Sequence, residues 1–320
     1  MIANLLGWLV LVAVVVLLGW LTWRAWHVRR AIFKWPAVVL GGLVTVLLTL
    51  VAVLIGRGLA IVYVPHPVPA ISLAVETSPE RLARGQHLAE SVCAACHTET
   101  GELPLSGGHN LSDDVKMPLG SLYPPNLTPA GPVASLTDAD IWRIFRYGVF
   151  PNGRRTMMPL VRLHNLSDED VQSIIVYLRS QPAVERVTPQ NEPSLLLAAF
   201  LGASLFKVDF EPVTDPLVAP PKGPSAEYGD YIVSYNDCRD CHGEKLDGHP
   251  TGPGAAGPNL RVVQGWTTEQ FVATLRTGVD PSGHALQPPM PWRVYAHMDD
   301  EELTAVYQYL RGLPAVTAQN

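Results

Sequence analysis

The feature that most constrains this chain is a pentapeptide that occurs twice. Cys93-Ala94-Ala95-Cys96-His97 and Cys238-Arg239-Asp240-Cys241-His242 use all four cysteines of a 320-residue sequence. Residues three apart in a helical turn share a face, so both thiols of a pair can reach two vinyl groups of one porphyrin. The adjoining His then meets the iron from the same side, and this is the attachment pattern of c-type haem. Other uses of the cysteines fit worse. A zinc ribbon needs its Cys pairs about 15–20 residues apart, whereas 141 residues separate Cys96 from Cys238. A thioredoxin-type dithiol expects a βαβ context, and little strand-like alternation occurs here. Disulfides would leave two histidines in register unexplained. The expectation is two covalently attached haem c groups, on Cys93 with Cys96 and on Cys238 with Cys241, with His97 and His242 ligating iron.

More than the pentapeptide is repeated. Pro125-Asn126-Leu127 and Met158-Pro159 follow the first copy, and Pro258-Asn259-Leu260 and Met290-Pro291 follow the second. Met158 to Met290 is an offset of 132, as are Leu166 to Met298 and Val171 to Leu303, while Thr137 to Thr267 and Gly148 to Gly278 are offset by 130. The first cysteines differ by 145, so the first copy holds about 13 extra residues (145 − 132), expected in the loop between His97 and Tyr123. Each copy should end in a helix capped by Ser167 with Asp170 or by Asp299 with Glu302. Val171, Ile174, Ile175 and Leu178, and then Leu303, Val306, Tyr307 and Leu310, form apolar stripes at helical spacing, stopped by Pro182 and Pro314. Further helices are expected at 137–147 and 267–277, and before each cysteine pair at about 79–93 and 225–238.

Iron also needs a ligand opposite the His. A single Met is ordinarily a core gap-filler, but Met158 and Met290 precede Pro at matched distances from matched helices, which favours them as the second ligands. A Met thioether opposite His raises the reduction potential relative to two histidines. Met157 is read as packing, and Met117 and Met298 lack counterparts in the other copy. His87, His109, His164, His249, His284 and His297 are read as solvated. The carbonyls of Pro125 and Pro258 are candidates to hold the far ring N–H of each ligating His.

Ahead of the repeat, Leu5–Trp23 and Trp35–Gly56 are uncharged runs of 19 and 22 residues. At 1.5 Å per residue each crosses a hydrocarbon core of about 30 Å. Arg24, Arg29, Arg30 and Lys34 lie between them, which assigns that turn to the cytoplasmic side, with Trp20, Trp23, Trp26 and Trp35 at the same interface. A cleaved signal peptide would carry its basic residues before the apolar run. The expected architecture is all-α: a transmembrane helical hairpin over 1–64, helical domains over 76–182 and 224–315, and a Pro-rich linker over 183–223. Within the linker, Leu195–Phe206 is uncharged and too short to span a bilayer. A short helix packed between the two domains is the expectation, with contact to membrane or partner as the alternative.

Both copies resemble the class I cytochrome c fold. The body over about 78–315 is similar to multihaem cytochrome c subunits of membrane-bound bacterial sugar, sugar-acid and alcohol dehydrogenases. The resemblance is carried by Ala83-Arg84-Gly85-Gln86-His87-Leu88, Gly120-Ser121-Leu122-Tyr123-Pro124-Pro125-Asn126-Leu127-Thr128, Gly153-Arg154-Arg155 and Met158-Pro159. That family commonly carries three haems and a C-terminal anchor. The leading membrane helices here are closer to the dihaem subunit of certain haem–copper oxidases. An iron held by both His and Met has no open position for substrate, so the expectation is a dihaem cytochrome relaying electrons on the periplasmic, extracytoplasmic face of the cell membrane. Its partners would be subunits of a membrane electron-transfer complex or dehydrogenase, a soluble redox protein or oxidase, and the lipid bilayer. Arg154 and Arg155 would pair with haem propionates or face solvent. The net charge of −6, from 23 Lys+Arg and 29 Asp+Glu, disfavours nucleic acid. A dihaem enzyme of peroxidase type, with one displaceable iron ligand, is the alternative, and a subunit in which haem serves folding alone is a third reading.

Overall fold

Two long apolar helices lead the chain in the computed structural model, which describes residues 1–320 except 69, 116, 159–160, 207–214, 237, 249–256, 289 and 315–320. Pro159, Pro212, His249 and the close of the second domain at residue 315 therefore lie outside the described residues. Helix α1 spans Ile2–Trp26 and α2 spans Ala31–Tyr63, and both are long and apolar enough to cross a membrane. They pack as a hairpin in which Trp8 Nε1 donates to the Ala52 carbonyl at 2.8 Å. At the basic turn, Lys34 lies over the rings of Trp26 and Trp35 at 4.6 and 5.3 Å, and Arg24 lies over Trp20 at 5.0 Å. An amphipathic ring beside a cation is the pairing favoured at a lipid headgroup level.

The first repeat follows. Helix α3 (Pro79–Leu88) continues through a π turn (Ala89–Cys93) into the single turn α4 (Ala94–His97), and α5 (Asp138–Tyr147) and α6 (Asp168–Ser180) complete the unit. After the linker helix α7 (Leu195–Gly202) the pattern recurs as α8 (Ala226–Tyr235), α9 (Cys238–His242), α10 (Thr268–Thr277), α11 (Trp292–Tyr295) and α12 (Asp300–Arg311). The local signals match the sequence. Thr137 with Asp140, and Thr267 with Gln270, form reciprocal capping boxes, and Gly148 and Gly278 end their helices at φ 60° and 72°, a backbone that L side chains resist. Both apolar stripes are buried, and α6 and α12 start at Ser167 and Asp299 as the caps predict.

Within each copy the first and last helices cross at a glycine. A Cβ on Gly85 would sit 1.9 Å from the Ser173 carbonyl oxygen, and one on Gly229 would sit 2.0 Å from that of Ala305. Bare backbone lets α3 reach α6 and α8 reach α12, and the residues at both crossings join one continuous apolar cluster.

The extra residues of the first copy have a structural use. Within that loop, β1 (Gly120–Ser121) pairs antiparallel with β2 (Glu192–Pro193) of the linker. Leu119 and Leu122 are buried with Val62, Leu197 and Leu201. The insertion thus fastens the first domain to the end of α2 and to α7. Helix α7 corrects the expectation for Leu195–Phe206: it ends at Gly202 and packs on α2, not between the two domains. Small residues decide this, because a Cβ on Gly58 would meet the Ala198 carbonyl oxygen at 1.7 Å and one on Gly202 would meet that of Leu54 at 1.8 Å.

Between the domains lies a buried ionic cluster. Arg84 of α3 grips Asp170 of α6 through Nε and Nη2 at 2.8 and 3.0 Å, and reaches across to Glu302 of α12 through Nη1 at 2.9 Å. His87 Nε2 lies 2.6 Å from the other Glu302 oxygen, and Tyr231 donates to Asp170 at 2.6 Å. Burial alone would raise the Glu302 carboxyl, but the His87 hydrogen bond and charge, with Arg84, hold it at about 2. A carboxyl held below its unfolded value adds stability above the ordinary range, and that stability is lost as pH falls from 4.5 toward 2. The shift corresponds to about 3 kcal/mol. Thermal melts between pH 5 and 2 should show this loss, and Glu302→Gln should flatten that limb while lowering the plateau.

Candidate haem sites

The two attachment motifs fold alike. Both end a helical turn, and both histidines are buried at 7% exposure. His97 Nδ1 is 2.9 Å from the Pro125 carbonyl oxygen, and His242 Nδ1 is 2.7 Å from that of Pro258. An acceptor at Nδ1 fixes the tautomer and leaves Nε2 available to a metal, as the Pro-Asn-Leu registers suggest. Burial lowers both His pKa values, opposed by those carbonyls, and so favours the neutral imidazole a metal requires.

The loop after each motif is pinned in the same way. Gly107 N donates to the His97 carbonyl at 2.8 Å and Gly248 N to that of His242 at 2.9 Å, with both glycines near φ 100°. Backbone then passes close behind each motif. A Cβ on Gly108 would be 1.9 Å from the Cys96 carbonyl oxygen, and one on Gly257 would be 2.6 Å from His242 Nδ1. Asn126 and Asn259 brace the two Pro carbonyl turns by accepting from Thr128 N at 2.9 Å and Arg261 N at 3.0 Å.

These features bear on whether haem fits. None of the four cysteines is in a disulfide, and burial with the neighbouring Cys96 pushes the Cys93 thiol up to about 12. Met158 and Met290, both partly buried, border the apolar cluster that contains Cys93 and abuts Cys238. Two thiols, an oriented neutral imidazole and a thioether against one apolar core are a donor set suited to covalently held iron porphyrin. Met157 and Met117 instead pack beside Leu119 and Leu197, and Met298, just ahead of α12, is buried in the main apolar cluster. Of the histidines read as solvated, His87 instead pairs with the buried Glu302 and His164 is partly buried, while His109 lies 3.0 Å from Asp114 and His284 is exposed beside Asp280. Arg154 lies over the Tyr63 ring at 5.6 Å, and Arg155 Nε donates to His66 Nε2 at 3.1 Å, so both arginines reach the segment leaving α2.

Sequence reasoning passed over Arg84 as a functional residue, and with it the contact between the sites. Helix α11, just after Met290, packs against the π turn that leads into Cys93. His297 Nε2 lies 3.7 Å from Glu102 just beyond the first motif. The second methionine segment therefore adjoins the first attachment segment. The positions of Arg84 and His87, three apart on a helix that also holds Gly85, were the available signal.

Comparison with known proteins agrees with this geometry. The family described as cytochrome c matches residues 226–314, and that described as cytochrome c oxidase, cbb3-type, subunit III matches residues 80–178. The chain is 25% identical over 270 residues to the cytochrome c subunit of alcohol dehydrogenase (quinone) from Gluconobacter oxydans, covering 73% of this chain and 55% of that protein. It is 24% identical over 262 residues to the fructose dehydrogenase cytochrome subunit of Gluconobacter japonicus, covering 73% and 53%. It is 24% identical over 281 residues to the gluconate 2-dehydrogenase cytochrome c subunit of Pantoea cypripedii, covering 73% and 60%. The chain thus spans little more than half the length of these relatives. None of the three is named a peroxidase, and that alternative finds no support. The repeated motif, the oriented histidines and the matched segments converge: this chain carries cytochrome c domains, which hold haem c covalently, and is homologous to cytochrome c subunits of quinone alcohol, fructose and gluconate dehydrogenases.

Proposed function

We propose that the chain is a two-pass membrane-anchored dihaem cytochrome that relays electrons on the extracytoplasmic face, as a subunit of a dehydrogenase or related respiratory complex. The observation that carries the reading is the pair of buried histidines, each at the end of Cys-x-x-Cys-His and each tied through Nδ1 to a Pro carbonyl. Cys93 and Cys96 would hold one haem and Cys238 and Cys241 the other, with His97 and Met158, and His242 and Met290, as the side chains that would ligate iron. The proposed units are the hairpin 1–64, domains 76–182 and 224–315, and the linker 183–223.

When bound, haem supplies a one-electron couple whose potential follows its axial ligands and burial. The chain's own residues set the rest. Were His97 with Met158 and His242 with Met290 to hold iron, no position would remain for a substrate, and the group would supply electron transfer alone. The Pro125 and Pro258 carbonyls keep each imidazole oriented, and the apolar stripes exclude water. The contact of α11 with the turn into Cys93 supports transfer between the two sites, and an acidic chain favours a basic redox partner through salt-sensitive encounters. The names of the relatives support a dehydrogenase subunit as the donor side.

Haem analysis of the purified chain tests this, with two haems per polypeptide expected and both retained under denaturing conditions. Met158→Ala and Met290→Ala should each lower one midpoint potential and convert one site to a high-spin spectrum, leaving the other unchanged. One haem per chain, or a native high-spin site, would overturn the proposal. Co-purification in mild detergent with a dehydrogenase subunit is the expected result for the partner.

A further inference from the structure

Helix α7 carries Leu-Leu-Leu-Ala-Ala-Phe-Leu-Gly and no polar side chain. Its ends are nonetheless satisfied: Ser194 Oγ accepts from Leu197 N at 3.2 Å, and Arg57 donates to the Gly202 carbonyl at 2.8 Å and to Ser204 Oγ at 3.3 Å. One face, with Leu197, Ala198 and Leu201, is buried on α2 and the first domain. The other is covered only in part, where Phe200 meets Phe206. Leu196 is 37% exposed, Phe200, four residues on, is half-buried on the same face, and Leu205 beside it is 51% exposed.

Two rulers locate this helix relative to the basic turn. Along α2, Trp35 to Leu54 is 19 residues and therefore about 29 Å; along α1, Trp26 back to Gly7 is again 19 residues and about 29 Å. Leu54 and Gly7 both border α7, since a Cβ on Gly202 or on Gly7 would meet Leu54 or Leu195 respectively. If the tryptophan level marks one face of a hydrocarbon slab about 30 Å thick, α7 lies at the opposite face. On α2 itself, Leu50 and Val53, within a turn of the Leu54 that α7 meets, are exposed apolar side chains.

We propose that α7 is a third membrane contact: an interfacial helix lying in the outer leaflet, with Leu196, Phe200 and Leu205 against acyl chains. A bilayer is favoured over a protein partner because Leu196, Phe200 and Leu205 carry no hydrogen-bonding side chain and α7 packs on a helix that is itself long and apolar enough to cross a membrane. The consequence is orientation. Through β1–β2 and the Leu119–Leu122 contacts, α7 holds the first domain at the membrane surface, so Cys93–His97 belongs to the membrane-proximal site. The inference rests on the proposed anchoring, and the test separates the two.

The full-length holoprotein, its four native cysteines consumed by haem, is placed in phosphatidylcholine nanodiscs with one spin-labelled cysteine at a time. Labels at L196C and L205C should be reached by oxygen and be about fivefold less accessible to a water-soluble nickel chelate than one at V218C on the exposed linker, as expected for acyl-chain depth. A label at V46C in the middle of α2 is the anchoring control. Nickel accessibility at 196 and 205 equal to that at 218, with 46 still protected, overturns this inference alone. Loss of protection at 46 as well overturns the anchoring. Shielding from both oxygen and nickel at 196 and 205 means a protein covers the face, and rejects the lipid assignment.

Discussion

Replacing Gly85 or Gly229 with Ala should lower the melting temperature of the domain that carries it by roughly 10 °C, with haem retained but the fold loosened. The cause is a collision with backbone. A methyl at either position would lie about 2 Å from a carbonyl oxygen of the crossing helix, at Ser173 or Ala305, and also within 2.9 Å of the Tyr177 or Tyr309 Cβ. Neither obstacle is the end of a flexible side chain, so the helices must separate. Overpacking typically costs about 1–3 kcal/mol, and a contact of about 2 Å with backbone belongs at the upper end, about 3 kcal/mol. An Ala in place of Gly recovers about 1 kcal/mol of helix propensity, so the net loss is roughly 2 kcal/mol, and Val should abolish folding of the domain. Gly265→Ala is the control, because nothing lies within 4 Å of a Cβ there, and its melt should match the parent. Circular dichroism melts of the three variants decide the matter, and equal stability of all three would remove the glycine crossings as the determinant of the fold.

Much of this architecture was legible because its signals are local. Thr137, Ser167, Thr267 and Asp299 announce helix starts within four residues, and Gly148 and Gly278 announce their ends. The duplication then checks each assignment against its counterpart. The Pro125 and Pro258 carbonyls could be named from register alone, since a Pro-Asn-Leu element follows each His. What escaped notice is non-local. A run such as Leu195–Gly202 reads the same whether it packs between soluble domains or on a membrane helix, and only Gly58, some 140 residues earlier, decides which. The 13 or so extra residues of the first copy were countable, but their pairing with Glu192–Pro193 had no periodicity to betray it.

Arg84 is the second such case, and its replacement should cost more than that of any surface charge. Its guanidinium is shared between Asp170, 86 residues away, and Glu302, 218 residues away, and those carboxylates have side chains only 8% and 2% exposed. Arg84→Met leaves both anions buried with one cation fewer, a loss of about 3–5 kcal/mol. Arg84→Lys should rescue little, because an ammonium cannot present the fork that meets both Asp170 oxygens while reaching Glu302. Combining Arg84→Met with Asp170→Asn and Glu302→Gln should recover most of the loss, since neutral partners need no counter-ion. Arg162→Met is the contrast: its pairs with Asp240 and Glu244 also join the two domains but are solvent-exposed, and the expected change is below about 1 kcal/mol. Melting curves, with hydrogen exchange on α3 and α12, separate loss of the domain contact from loss of either fold. Because α11 of the second domain rests on the turn into Cys93, an Arg84→Met protein with both domains folded but undocked should also show slower electron exchange between the two proposed haems. Undocking without that slowing would mean the interface is structural and the route between the sites lies elsewhere.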